Sequence, residues 1–274
     1  MSFRVVEASG AASPLIVEVP HAGTAVDPVC MPWLVAPVRS VGRDADLYVD
    51  KLFLDAPNVG ATLVVAEQSR YVCDLNRDID DIDSESVEGG TGSDAPHGLV
   101  WHRSTDGQRV LPCPLPAHEL RRRLDEYYYP YHRAIRRLMD ARRREFGHAI
   151  LLCAHSMPSR GRHGSADVGR KRADIVPGSR GRTTAAGAVI DATETVAKRL
   201  GWTVAHDDPY RGGFTTMHYG QPHQGWHALQ VELSRSRYMD EVSLLPHSGF
   251  TQVQEFCRNL VSILSTLSLG GTAG

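Results

Sequence analysis

Five cysteines stand at 30, 73, 113, 153 and 257, an odd number with no C-x-x-C pair. That pattern argues against a disulfide framework or a cysteine zinc knuckle. Cys73 and Cys153 fall inside strand-like runs and read as small buried hydrophobes. No apolar stretch approaches the roughly 20 residues of a membrane span, and Met1-Ser2-Phe3-Arg4 leads into no apolar signal region. The expectation is a cytoplasmic protein with no membrane partner. A formal net charge of -2 and a pI near 6.7 leave no global bias toward nucleic acid. Ser156 lacks the G-x-S-x-G elbow of serine hydrolases, and Gly89-Gly90-Thr91-Gly92 lacks the lysine of a phosphate loop. No internal repeat is visible.

What is present suits a globular chain: 274 residues, 42% of them hydrophobic, enough for one large α/β domain with a substantial core. Apolar runs at 15–19, 61–66, 70–74, 148–154, 202–206 and 228–233 read as strands. Between several of them lies helical periodicity: 44–54, a long Arg-rich stretch over 116–146 that Pro130 makes two helices or one kinked helix, then 184–200 and 250–267. Strands alternating with helices predict a mixed, mostly parallel sheet in an α/β fold. In the 44–54 helix, Asp46 and Asp50 would sit one turn apart. The arginines of 116–146 read as a solvated helix face. Two segments lack any period, the acidic 78–98 and the basic 158–182, which holds seven Lys or Arg against two Asp. Both read as flexible loops, the second a candidate flap for an anionic substrate. Residues 269–274 read as a frayed tail.

Several runs end on a polar group. Leu15-Ile16-Val17-Glu18-Val19-Pro20 delivers His21, Ala149–Ala154 delivers His155, Tyr71-Val72-Cys73 delivers Asp74-Leu75-Asn76-Arg77, and Leu229-Gln230-Val231 delivers Glu232. Ligands gather at the carboxyl ends of strands in open α/β sheets, so these groups are candidates for one site. Hydrolytic zinc takes three protein ligands, two of which His21 and His155 can be. Asp44, Asp46 and Asp50 all remain open as the third. Glu232 sits where a half-buried strand prefers an apolar residue, which suits a general base with a raised pKa, unless it points outward with Gln230. Arg77 offers a planar fork for a carboxylate or an oxyanion, or else pairs with Asp74 or Asp78. A weaker rival metal set, His218, His223 and His227, is interrupted by Pro222 and Gly225 and could instead line the pocket.

Taken together, Val19-Pro20-His21-Ala22-Gly23-Thr24, Asp44 through Asp50, Ser69 through Asp78, Ala154-His155-Ser156, Gly212 through Pro222, Gln230-Val231-Glu232-Leu233 and Tyr238-Met239 resemble the N-formylglutamate amidohydrolase (formylglutamate deformylase) family. The Asp-Leu-Asn-Arg string is also similar to zinc carboxypeptidases and aspartoacylase. The resemblance implies a three-layer, phosphorylase/hydrolase-like α/β/α fold and hydrolysis of an N-acylated acidic amino acid, a step of histidine degradation. It implies a divalent metal, zinc, held by His21, Asp46 and His155, with Glu232 as the base that activates the attacking water. Asn76, Arg77, Arg211 and Tyr219 become contacts for a small anionic substrate. Cys153 stands where the family often has Asp, so a carboxylate supporting the metal is expected to be missing. Asp208 replaces an Asn common before the glycine pair. The rival expectations are a hydrolase of other N-acyl amino acids or peptides, and a metal-free binding module on the same fold. Oligomeric state is not legible.

Overall fold

The computed structural model describes residues 2–92 and 96–269. Among these described residues six strands form one mixed sheet: β1 (Phe3–Val6), β2 (Leu15–Val19), β3 (Thr62–Ala66), β4 (Ala149–Met157), β5 (Ile175–Gly178) and β6 (Trp226–Ser234), in the order β1-β3-β2-β4-β6-β5. The four inner strands run parallel, while β1 and β5 pair antiparallel at the two edges. Inner strands buried on both faces should be continuously apolar, and β2, β3, β4 and β6 are buried at every position.

Among the described residues seven α-helices accompany the sheet: α1 (Val38–Asp44), α2 (Val49–Leu52), α3 (Ala117–Arg123), α4 (Tyr129–Phe146), α5 (Gly187–Arg199), α6 (Phe214–Tyr219) and α7 (Phe250–Ser265). Alternation along the strands sorts the core into two layers. Leu15, Val17, Ile150, Leu152, Leu229 and Val231 pack under α5 and α7 with Val189, Ile190, Val253 and Phe256. Ile16, Val64, Leu151, Cys153 and Ala228 face the other way, toward Tyr127, Tyr131, Ile135 and Met139 of the α3–α4 segment. The same parity puts Glu18, His155, Gln230 and Glu232 on the α4 side of the sheet, at its carboxyl edge.

The three-layer α/β/α expectation holds, with local corrections. Residues 70–74 are not a strand: Val72 N–H bonds Ser69 O and Tyr71 N–H bonds Ser69 Oγ, so a turn buries this apolar run. Segment 202–206 touches β5 through one bridge, Val204 to Ile175. The 158–182 segment contains β5, where Pro177 is tolerated because the strand lies at an edge. Over 116–146 the helix does not break at Pro130. A π-helical turn, Leu124–Tyr128, joins α3 to α4 and absorbs the N–H that Pro130 lacks. The expected 44–54 helix is interrupted: α1 stops at Asp44, Ala45 is extended, and Tyr48 adopts φ 69° before α2 starts. Of the 78–98 loop, residues 93–95 lie outside the described residues, as does the expected tail beyond residue 269; the rest of 78–98 holds no helix or strand. Among the described residues no helix is long and apolar enough to cross a membrane.

Candidate metal centre and substrate cavity

The interruption after α1 builds the site. Leaving the helix at Ala45 lets Asp46 N–H bond the carbonyl of His21 at 2.9 Å, joining the segment to the end of β2. Carbonyls freed at a helix end need partners, and Arg235 supplies them. Its guanidinium donates to Arg43 O at 2.6 Å, Ala45 O at 2.8 Å, Ser156 Oγ at 3.1 Å and Asp46 Oδ1 at 3.0 Å. Past β2 the chain skims Glu67, where a side chain on Gly23 would lie 2.4 Å from the backbone; only glycine permits that approach.

Three buried side chains then converge. His155 Nδ1 is 3.0 Å from Asp46 Oδ2 and 3.2 Å from His21 Nδ1, while His21 Nδ1 and Asp46 Oδ2 are 3.6 Å apart. One donor atom from each of His21, Asp46 and His155 lies within 4.8 Å of the others, the grouping a metal ion requires. Burial alone would raise the Asp46 pKa; hydrogen bonds from His155 and His21 outweigh it and hold the carboxylate well below its ordinary range. The neighbouring acids are committed elsewhere. Asp44 accepts from Tyr71 Oη, Thr105 and Arg162, and Asp50 pairs with Arg4 and Lys51.

Behind His21 stands Asp74. His21 Nε2 meets Asp74 Oδ1 at 2.7 Å, which anchors that edge of the ring and turns Nδ1 toward Asp46 and His155. Asp74 also accepts from Asn76 N, from Arg70 Nε and Nη2, and from Trp101 Nε1. Burial pushes this carboxyl up, but Arg70 and His21 prevail and keep it far below normal. No carboxylate stands at position 153; the carboxylate that His21 meets, Asp74, comes from a different segment. Cys153 itself is fully buried, with Thr215 Oγ1 3.4 Å from its sulfur and Glu18 opposite it on β2. Burial raises the pKa of Glu18, whose Oε1 accepts from Tyr131.

Glu232 is His155's register partner across β4 and β6 and is buried, so it does not point outward to solvent. Burial, opposed by His155 and reinforced by Asp46, pushes its pKa up to about 7. A cavity of about 700 Å³ opens over these groups, lined by His21, Asp46, His155 and Glu232 and by Asn76, Arg77, Gln230 and Arg211. Asn76 is pinned from both sides. Its Oδ1 accepts from Thr215 N at 2.9 Å and its Nδ2 lies 3.3 Å from His155 Nε2. Arg77 pairs with neither Asp74 nor Asp78; its Nε donates to His97 O at 2.6 Å and lies 3.8 Å from Asp81.

Tyr219 is not a cavity residue. It is 1% exposed, on the inner face of α6, with its hydroxyl bonded to His132, because α6 turns that position into the core. The rival histidines separate as well: His218 stacks on Phe214, His223 is exposed, and His227 is buried in β6 accepting from Ala186 N, and none lines the cavity. Asp208 is drawn away to a surface pair with Arg170.

Sequence reasoning missed Asp74 as His21's support, together with Arg70, Trp101 and Arg235. Asp74 carried a signal, since a charged residue closing the buried run Tyr71-Val72-Cys73 must find partners. Arg235, one basic residue among several, carried none.

A family model for N-formylglutamate amidohydrolase matches residues 13–239. The chain is 34% identical to the N-formylglutamate deformylase of Pseudomonas aeruginosa over 229 residues, 83% of each protein. It is 32% identical to that of Pseudomonas putida over 83% of this chain and 82% of the relative. The crystal structure of N-formylglutamate amidohydrolase from Ralstonia eutropha JMP134 superposes with a TM-score of 0.89 at 29% identity, covering 96% of this chain and 97% of that one. With the match running from just before β2 to just beyond β6, and so through His21, Asp46, His155 and Glu232, the chain belongs to the N-formylglutamate amidohydrolase family.

Proposed function

We propose that this protein is a metal-dependent amidohydrolase that removes the formyl group from N-formylglutamate or a closely related N-acylated acidic amino acid. The observation that carries this reading is the convergence of His21, Asp46 and His155 beside Glu232 in one cavity. Two imidazoles and a carboxylate are a donor set for zinc in hydrolytic sites, and the buried Asp74 behind His21 is the outer partner such ligands ordinarily have. When bound, the ion would acidify the attacking water and polarise the scissile carbonyl.

The chain's own residues do the rest. Glu232, ionised, takes a proton as the water oxygen bonds the formyl carbon, and returns it to the nitrogen as the C–N bond breaks, releasing formate and the free amino acid. A pKa near 7 suits both halves of that exchange. Arg77 and Arg211 line the cavity with cationic forks for the substrate carboxylates, and Asn76 offers its amide beside His155. The names of the Pseudomonas relatives support the formyl substrate.

The test is formate release from N-formylglutamate, N-formylaspartate and N-acetylglutamate, by protein treated with chelator and then given zinc. Fastest turnover of N-formylglutamate, lost with chelator and restored by zinc, is the expected result. No release from any substrate with metal present would overturn the reading.

A further inference from the structure

Glu232 needs more than the right pKa. Its two oxygens must be told apart, since a base that swings or holds its proton on the wrong oxygen delivers it away from the leaving nitrogen. Gln230, two positions earlier on β6, shares the same face. It is buried, its Nε2 donates to Glu232 Oε1 at 2.9 Å, and its Oε1 accepts from Gly213 N–H at 2.9 Å. A backbone N–H can only donate, so Gln230 must turn its carbonyl toward Gly213 and its NH2 toward Glu232. The amide's orientation is dictated by the backbone.

Gly213 is itself fixed. A side chain there would lie 2.4 Å from Asn76 Nδ2, so the residue packs directly on the amide that borders His155. Two residues on, Thr215 N–H holds Asn76 Oδ1. The segment carrying Arg211 into the cavity therefore grips Gln230 and Asn76 together.

We propose that Gln230 is a positioning residue for the Glu232 base: clamped by Gly213 N–H, it occupies Oε1 as an acceptor and reserves Oε2 for the proton that passes from water to the leaving amine. This rests on the hydrolytic reading above. With its NH2 aimed at Oε1, Gln230 disfavours a proton there, so the proton removed from water goes onto Oε2. From Oε2 it moves to nitrogen as the C–N bond breaks, and the carboxylate is regenerated.

The experiment measures kcat and KM for N-formylglutamate, bound zinc and melting temperature in the zinc-loaded protein and in Gln230→Met, Gln230→Glu, Glu232→Gln and Gln230→Met/Glu232→Gln. Gln230→Met has similar volume and no polar atoms, while Gln230→Glu still accepts from Gly213 but sets a second carboxyl group, competing for the proton, against Oε1 in place of the NH2 donor. Both single variants should lower kcat about 10-fold or more, the loss of one hydrogen bond to a charged group, with KM within about twofold and zinc retained. In the Glu232→Gln background the Gln230→Met change should cost nothing further, because a group acting through Glu232 has nothing left to act on. Unchanged kcat in folded, zinc-loaded Gln230→Glu, or an equal loss in both backgrounds, would overturn the proposal. If Gln230→Met does not fold, Gln230→Glu decides the matter alone. Failure of the hydrolytic reading is separately visible as an inactive zinc-loaded parent or a fully active Glu232→Gln, and either removes the Gln230 role with it.

Discussion

His21 Nε2 lies 2.7 Å from Asp74 Oδ1, and both side chains are sealed from solvent at 2% and 0% exposure. The contact fixes which nitrogen of His21 faces inward, and it ties that choice to Arg70, which shares the Asp74 carboxylate. Asp74→Asn keeps the shape but removes the charge that makes His21 a stronger donor. Zinc affinity should fall about 10- to 100-fold, measured by competition with a chromogenic chelator, and thermal stability should fall too because Arg70 is left without its counter-ion. Unchanged zinc affinity would detach Asp74 from the metal centre.

Glu232→Gln retains volume and hydrogen bonding but not basicity. Turnover should drop on the order of 10²-fold or more, with zinc content and KM nearly unchanged. Full activity would remove Glu232 from the reaction.

Arg211 lines the cavity and makes no side-chain ion pair or hydrogen bond among the described residues. Arg211→Met should therefore leave folding intact and raise KM for N-formylglutamate about tenfold, the scale of one charge-assisted bond. The effect should be far smaller on N-formylglycine, which lacks the second carboxylate. Equal effects on both substrates would place Arg211 at the shared carboxylate instead of the side-chain end.

Arg235 meets five acceptors through a planar fork, which a lysine cannot copy. Arg235→Lys should cost roughly 1–3 kcal/mol, the penalty for buried carbonyls left without donors, in chemical denaturation. A melting curve that superposes on the parent would show that the break after α1 is held by other contacts.

His132 supplies a pH dependence away from the His21, Asp46 and His155 cluster. Burial, helped by His218, lowers its pKa to about 3 despite the Leu75 carbonyl. Its rings of contact are Tyr128, Phe214 and Tyr219. The folded pKa lies below the unfolded value of about 6.5, so between the two the unfolded chain binds the extra proton and stability falls as pH falls. Its share of the loss between pH 7 and pH 5 should be about 2 kcal/mol. Urea unfolding at both pH values tests this against His132→Leu, which should be less stable at pH 7 yet lose less on acidification. Equal losses in both proteins would assign the slope to other groups.

The inner strands and their two-sided burial are legible in the residues alone, because the mostly apolar runs at 15–19, 148–154 and 228–233 have no other low-energy home in a globular chain. The positions of His21, His155 and Glu232 at or near the ends of such runs mark them as candidates for one site. Tertiary structure decided the rest. Asp46 joins the two histidines where α1 stops short of the length local periodicity predicts, and Arg235, about 190 residues further along the chain, bonds the carbonyls freed there. Tyr71-Val72-Cys73 became a buried turn, and Tyr219 was turned from the substrate into the core. Periodicity reports which face of an element is apolar. The partners of a buried charge are chosen in space, by residues far apart along the chain, and appear only once the chain is folded.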